Sequence, residues 1–274
     1  MRNDPGRLTP FGEAPNPRPP GDGSPDAAAR IGERRSYAAA YQSLTFTVVT
    51  RARRELIVAL AAQPVFDLAR SVPVARRVRR SVRRAGGESA LTGLARRTLE
   101  PADLQRIDLD TLRNGLDLLR LGTNDGGVLP AFWRSIAASG GRFEQLCAEM
   151  QNGSAPGTLL VEVMGGIEQA PPEAIEEAIA HFGARSLGLI LHIAPDAGAA
   201  RRLAQVRAQC LVLDFAGVEH GSARDWQGAA QLIEAARQAC PQVMLLNLRP
   251  DRGLAAQAAG ATHAVFAGMD AVVV

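Results

Sequence analysis

Four short apolar runs in the second half of the chain decide its fold: LLVEVM at 159–164, LGLILHI at 187–193, CLVLDF at 210–215 and VMLLNL at 243–248. Each run is followed by a stretch with helical spacing, and THAVFA at 262–267 ends the series. Short apolar runs that alternate with helical segments are typical of a parallel sheet covered by helices. The sequence therefore predicts an α/β fold, and right-handed crossovers leave a (β/α) barrel of the TIM type or a doubly wound open sheet.

The stretches between these runs predict four helices. Their expected bounds are Pro172–Phe182, Ala197–Arg207, Asp225–Ala239 and Arg252–Ala259. The first turn of the first of them is acidic, which suits the positive end of a helix dipole.

The first half of the chain is less regular. LTFTVVT at 44–50 predicts a strand or the start of a helix, and Arg51–Ala62 has helical spacing, with Leu56, Ile57 and Leu60 on one face. QPVFDLA at 63–69 predicts a short extended run. The next segment, VPVARRVRRSVRR at 72–84, predicts a basic amphipathic helix after Pro73 or a strand leading into one.

Further helices are predicted at Ala90–Arg97, Pro101–Leu121 and Arg142–Gln151, with a short strand at Val128–Phe132. Residues 1–35 are rich in Pro, Gly, Asp and Arg and contain few large apolar side chains. Such a segment cannot bury enough surface to offset its ordering entropy, so we expect a disordered N-terminal tail. The expected domain then covers residues 36–274.

Charge divides the chain into two unlike parts. Residues 1–100 carry 18 Arg against 9 acidic residues, whereas residues 101–274 carry 13 against 19, and the sequence contains no Lys. The basic N-terminal part can bind an acidic partner or a phosphate-rich ligand, or it can pack against the acidic C-terminal part of the same chain.

The cysteine content and the lack of long apolar stretches indicate the cellular compartment. The three cysteines form no disulfide framework and no metal-binding pattern, which favours a reducing environment. No apolar stretch is long enough to span a bilayer, and the first residues lack the apolar core of a secretory signal. We therefore expect a cytoplasmic protein.

The order of these segments resembles that of an EAL domain, the bacterial barrel that hydrolyses cyclic di-GMP. The similarity rests on order and spacing over about Arg51 to Val274. The segments that carry it are QPVFDLA at 63–69, the helix Ile107–Leu121 with Asp108 and Leu112, LPAFWRSI at 129–136, LLVEV at 159–163 and CLVLDF at 210–215.

The resemblance implies two divalent metal ions, which carboxylates and an Asn hold at the C-terminal rim of the barrel. Most of the expected ligands are missing here. The signature Glu has no counterpart in Val72–Arg84, the Asn position corresponds to Trp133 or Arg134, the paired Asp becomes Leu191–His192 or His192–Ile193, the Lys becomes Val212, and the last acidic segment falls near Asn247–Pro250. Only Glu162 and Asp214 remain, as vestigial metal positions.

The resemblance therefore implies a catalytically inactive EAL-like domain that acts as a binding module in bacterial signalling or regulation, without a cofactor. Its expected partner is a protein, and cyclic di-GMP is a candidate ligand. The alternative is a metal-dependent cyclic-dinucleotide phosphodiesterase, or another barrel hydrolase, that uses Glu162, Asp214 and His192 with Mg²⁺ or Mn²⁺.

Two groups of residues are candidates for ligand binding. Glu162, His192 and Asp214 lie at or near strand ends, which converge in a barrel, although a paired structural role is the more common one for each. The second group consists of Arg76, Arg77, Arg79 and Arg80, which can bind phosphate or carboxylate or form a solvated face. Because no nucleic-acid-binding motif accompanies the Arg cluster, we do not expect nucleic acid as the partner.

Overall fold

The computed structural model describes residues 43–84, 99–120, 126–138, 159–184 and 187–268. In these ranges the strands form one sheet in chain order. The strands are β1 Ser43–Val49, β2 Glu55–Asp67, β3 Val72–Arg84, β4 Gly126–Phe132, β5 Leu159–Met164, β6 Gly188–Ile193, β7 Leu211–Asp214, β8 Val243–Leu248 and β9 His263–Phe266. The helices are α1 Pro101–Arg120, α2 Trp133–Ala138, α3 Pro172–Gly183, α4 Ala197–Arg202, α5 Ala223–Ala239 and α6 Gly253–Ala258.

The sheet closes on itself through β2 and β9. Phe66 and Asp67 of β2 pair with Ala264 and His263 of β9, so β2–β9 form an eight-stranded barrel. Strand β2 is antiparallel to both of its barrel neighbours, and β3 to β9 run parallel to one another. This closure confirms the prediction of a (β/α) TIM-type barrel and excludes the alternative of a doubly wound open sheet.

The first strand lies outside the barrel. Strand β1 pairs antiparallel with the first half of β2, which also pairs with the second half of β3. These three strand segments extend the sheet beyond the barrel, and one face of the extension packs against α1.

The helix predicted at Arg51–Ala62 is wrong. Leu56, Val58 and Leu60 of β2 are buried, whereas Ile57 between them is 40% exposed. Buried residues at every second position are typical of a strand. Leu56 and Leu60 are four residues apart, a separation that also places two residues on one face of a helix, and for this reason the segment resembled a helix. Pairing with two neighbouring strands overrides the helix propensity of the Ala and Leu residues.

Strand β3 resolves the alternatives for the basic segment. The whole of Val72–Arg84 is extended, so the basic amphipathic helix does not form. Val78 and Val82 are buried on the face that packs toward α1.

The barrel interior is filled by small aliphatic side chains. One buried cluster lines it and consists of Val65, Ala75, Val128, Leu160, Ile190, Cys210, Val212, Met244, Leu246 and Val265. Since every second residue of a strand faces inward, this cluster also identifies which polar side chains of the same strands point into the barrel.

Most helices agree with their predicted bounds. Helix α4 is shorter than expected, because the chain continues as a 3₁₀ turn at Leu203–Gln205. Helix α5 begins with a capping box, in which Ser222 and Asp225 satisfy each other's backbone N–H groups. The helices predicted at Ala90–Arg97 and Arg142–Gln151, like the tail at 1–35, lie outside the described residues. Of the described helices, none is long and apolar enough to span a bilayer.

Candidate functional site

A buried ion pair lies inside the barrel near the carboxyl ends of the strands. Arg77 of β3 and Glu162 of β5 share the inward-facing side of their strands with Ala75 and Leu160. Arg77 donates from Nε to Glu162 Oε2 at 2.5 Å and from Nη2 to Oε1 at 2.8 Å. This two-pronged arrangement is the strongest that a guanidinium and a carboxylate form.

Two neighbours complete the pair. Arg77 donates from Nη1 to Oε1 of Gln63 on β2 at 3.1 Å, and His192 Nδ1 lies 2.7 Å from Glu162 Oε1. Because Oε1 belongs to a carboxylate, Nδ1 must carry the proton of this hydrogen bond. The imidazole is therefore fixed with Nε2 directed away from Glu162, and the His192 side chain is 19% exposed.

The electrostatics keep Glu162 ionised. Burial of Glu162 raises its pKa, but the charge of Arg77 and the hydrogen bonds from His192 and Arg77 outweigh burial and lower the pKa to about 2. A fully buried carboxylate can remain charged only with such compensation.

Asp214 lies further around the barrel and has partners of its own. It ends β7, and its Oδ1 accepts hydrogen bonds from Asn247 Nδ2 at 2.6 Å and from the backbone N–H of Ala216 at 2.9 Å. Asn247 has a left-handed backbone (φ 56°) at an irregularity of β8. The structure thus brings Glu162 and His192 into direct contact, whereas Asp214 bonds to a different strand.

The four candidate Arg residues of β3 separate into different environments. The Arg80 side chain is 1% exposed and points away from the barrel interior, where Nη1 donates to Asp108 Oδ1 of α1 at 2.5 Å. Its guanidinium carbon also lies 4.4 Å from the centre of the Phe132 ring. Arg76 is half-buried and Arg79 is exposed. Arg77 and Arg80 are thus internal ion-pair partners, and a ligand role for Arg76 and Arg79 stays a prediction.

Asp108 shows the cost of this burial. Its pKa is raised by desolvation, and Arg80 counteracts part of that effect. The second carboxylate oxygen accepts the backbone N–H of Phe132 at 2.9 Å, so Asp108 joins α1 to the end of β4.

The position that corresponds to the family's Asn lies directly after β4. Strand β4 ends at Phe132, as the sequence predicts, so Trp133 and Arg134, which correspond to the family's Asn position, begin α2. Pro130 lies next to Glu162 on the neighbouring strand. Proline has no polar side-chain atom, so this position cannot supply a metal ligand.

A two-metal centre does not fit the described residues. Both oxygens of Glu162 are occupied by Arg77, and a guanidinium does not lose its proton in a protein. Within the described ranges, no three His, Cys, Asp or Glu side chains are grouped so that they could hold a metal ion.

Two site residues were missed in the sequence. Gln63 faces inward two positions from Val65, a signal that becomes visible only once this segment is recognised as a strand. Asn247 gave no signal, because in a regular strand it would point away from Leu246, which lines the interior.

The loops around Asp214 are held by a separate set of contacts. His220 Nε2 accepts the backbone N–H of Arg249 at 3.3 Å, and its Nδ1 donates to the Val218 carbonyl at 2.6 Å. The Arg249 guanidinium binds Asp251 at 3.0 and 3.3 Å. The loop after β7 is therefore joined to the loop after β8 at the same end of the barrel.

Comparison with known proteins identifies the fold. No protein-family model and no curated protein matches the sequence. Among solved structures, the chain is similar to the FimX EAL domain of Pseudomonas aeruginosa bound to c-di-GMP, with a TM-score of 0.58 and 13% identity over 88% of this chain and 93% of that chain. The FimX EAL domain of Xanthomonas citri in complex with c-di-GMP gives a TM-score of 0.56 and 17% identity over 87% and 91%.

A third similar structure is the manganese and c-di-GMP complex of Klebsiella pneumoniae BlrP1. Its TM-score is 0.54 with 12% identity, and the match covers 84% of this chain and 59% of that chain. These likenesses confirm an EAL-like TIM-type barrel as the fold.

Proposed function

We propose that the chain is a catalytically inactive EAL-like domain that acts as a regulatory binding module in the bacterial cytoplasm. One observation carries this proposal: the guanidinium of Arg77 binds both oxygens of Glu162 inside the barrel. A side chain thus supplies the positive charge that the resemblance assigns to metal ions.

The ion pair opposes metal binding in two ways. A divalent cation at Glu162 would have to displace two charge-assisted hydrogen bonds, and it would lie beside a guanidinium that cannot be neutralised by losing a proton. Repulsion between like charges is strong where water is excluded, and Arg77 and Glu162 are both buried. Phosphodiester hydrolysis by two metals needs both ions in place at once.

The same fold can bind a cyclic dinucleotide without hydrolysing it. The FimX domains that the chain resembles in fold are described as bound to c-di-GMP, which supports this dinucleotide as a candidate ligand. The proposed main partner is a protein, since a barrel that keeps its fold but lacks the metal ligands can still act through its surface.

The test of inactivity is a turnover assay. The purified chain is incubated with cyclic di-GMP and Mn²⁺ or Mg²⁺, and the linear dinucleotide is measured by chromatography. We expect no product above a metal-only control. Sustained release of the linear dinucleotide, lost in the Glu162→Gln variant, would overturn the proposal and favour the phosphodiesterase alternative.

Binding is tested separately by calorimetry with cyclic di-GMP in the absence of metal. Binding without turnover supports a nucleotide-responsive module, whereas no binding leaves a protein partner as the proposed ligand. Capture from a bacterial lysate, followed by reconstitution with the purified partner, then identifies that protein. Failure of every reconstituted pair to form a complex would contradict the protein-partner part of the proposal.

A further inference from the structure

Strand β1 is an open edge of the described part of the sheet. Within the described ranges it pairs only with β2, on one of its two sides. Its seven residues, SLTFTVV at Ser43–Val49, include no charged residue and no Pro, and its pairing with β2 has no register shift. Charged side chains, prolines and bulges are what keep an edge strand from pairing with another chain, so β1 lacks these protections.

The turn between β1 and β2 shows which backbone groups of β1 face outward. Thr50 donates its backbone N–H to the Arg54 carbonyl at 2.9 Å, so the backbone of Thr50 is directed toward the second arm of the hairpin. In an antiparallel pair this direction alternates, and every second residue before Thr50 therefore points its N–H and C=O away from β2. These residues are Ser43, Thr45, Thr47 and Val49. The contact of the Val49 carbonyl with Arg106 Nη1 of α1, at 3.1 Å, agrees with this direction.

The strand is complementary to itself in the antiparallel direction. With Phe46 on a two-fold axis, Thr45 lies opposite Thr47 of a second copy, and their outward backbone groups form a hydrogen-bonded pair. Leu44 then lies opposite Val48 of that copy, and the two Phe46 side chains meet, on the face that packs against α1. Leu44 and Phe46 are only half-buried in one chain, so a second copy would cover apolar surface there.

The charges that flank β1 do not oppose this arrangement. Arg51, Arg53 and Arg54 follow the strand directly. An axis at Phe46 places the Arg residues of the two copies at opposite ends of the interface, away from each other. An identical strand thus matches β1 in backbone direction, side-chain size and charge, which favours a second copy over an unrelated partner.

We infer that two copies of the chain associate through β1 and join their sheets across a two-fold axis at Phe46. This inference concerns assembly, and it holds whether or not the barrel hydrolyses a substrate. One pair of seven-residue strands buries less surface than a permanent dimer needs, so the association is reversible and depends on concentration.

Sedimentation equilibrium of the full chain measures the association. We expect the mass to rise from that of one chain toward that of two as the concentration increases from micromolar to millimolar. Hydrogen exchange followed by NMR locates the contact. The outward N–H groups of Thr45 and Thr47 should exchange about tenfold more slowly in the concentrated sample, whereas the N–H of Phe46, which faces β2, should exchange slowly in both samples.

Two variants test the edge. Thr47→Pro removes an outward N–H that β2 does not use, and Pro is tolerated on the free side of an edge strand. Thr45→Lys/Thr47→Lys places like charges opposite each other across the axis. Both variants change exposed side chains, so each should keep the fold by circular dichroism and weaken association by about tenfold or more. Gln227→Lys adds the same charge on an exposed position of α5 and should leave association unaltered.

Three results would overturn the inference. The first is a chain that stays monomeric at every concentration. The second is a dimer in which Thr45 and Thr47 exchange as fast as in the dilute sample, or one that the two Lys substitutions leave intact, because another surface then forms it. The third is slow exchange of both N–H groups in a monomer, because another part of the same chain then covers the edge. Exchange in the wild type decides the question even where a variant fails to fold.

Discussion

Arg77 and Arg80 lie on one strand, three residues apart, and their guanidinium groups neutralise carboxylates on opposite faces of the sheet. Arg77 binds Glu162 inside the barrel, and Arg80 binds Asp108 beneath α1. Two members of the Arg cluster are therefore part of the interior, and the strand joins the barrel core to its helical layer.

Replacement of Arg77 by Met should strongly destabilise the fold. It would leave Glu162 buried with only the hydrogen bond to His192, and breaking a buried ion pair typically costs about 3–5 kcal/mol. Urea denaturation of wild type and Arg77→Met measures the difference in the free energy of unfolding. The double variant Arg77→Met/Glu162→Leu should recover much of the loss, because no unpaired charge remains.

Arg83→Met is the matched control for this experiment. Arg83 is exposed on the same strand, so its replacement should change the free energy of unfolding by less than about 0.5 kcal/mol. Equal effects of the two Met substitutions would contradict a structural role for the inner ion pair.

Stability should depend on pH through Glu162. Its pKa is about 2 in the folded chain and 4.5 as an ordinary glutamate, so its contribution is fully present above about pH 4.5. As pH falls toward 2, protonation removes this contribution, which is on the order of 3 kcal/mol. Denaturation curves across this range should fall more steeply for wild type than for Glu162→Gln.

A comparison with Glu177→Gln on the exposed side of α3 separates this effect from general acid destabilisation. The exposed variant should follow the wild-type slope. Parallel curves for wild type and Glu162→Gln would mean that Glu162 is not held ionised by Arg77 and His192.

Asn247 should tolerate Gly better than Ala. Both replacements remove the hydrogen bond to Asp214, but only Ala must adopt the left-handed conformation with a Cβ atom. That conformation costs about 1–2 kcal/mol for a residue with a side chain, so Asn247→Ala should unfold at lower denaturant than Asn247→Gly. The reverse order would show that the backbone at residue 247 is not left-handed in solution.

The parallel half of the barrel could be predicted from the sequence because its strands carry near-continuous apolar runs. LLVEVM, CLVLDF and VMLLNL each agree with a strand of the structure to within one residue at either end. Such strands pack against the interior on one side and helices on the other, so their composition identifies them without knowledge of their partners.

The antiparallel strands and the contacts of the candidate site could not be predicted from the sequence. Residues 55–62 have both strand and helix spacing, and the pairing of β2 with β1, β3 and β9 decides between them. The partner of Glu162 is 85 residues away along the chain, and nothing in the local pattern singles out Arg77 among six neighbouring Arg residues. Arg77 is the Arg that reaches Glu162 because it lies two residues from Ala75 on β3 and therefore faces the barrel interior.

Calorimetric titration of the purified chain with Mn²⁺ tests most directly whether the Arg77 guanidinium occupies the place of the metal ions. We expect no saturable heat up to millimolar Mn²⁺ for the wild type. Saturable binding of two ions per chain, lost on replacement of Glu162 by Gln, would contradict this account.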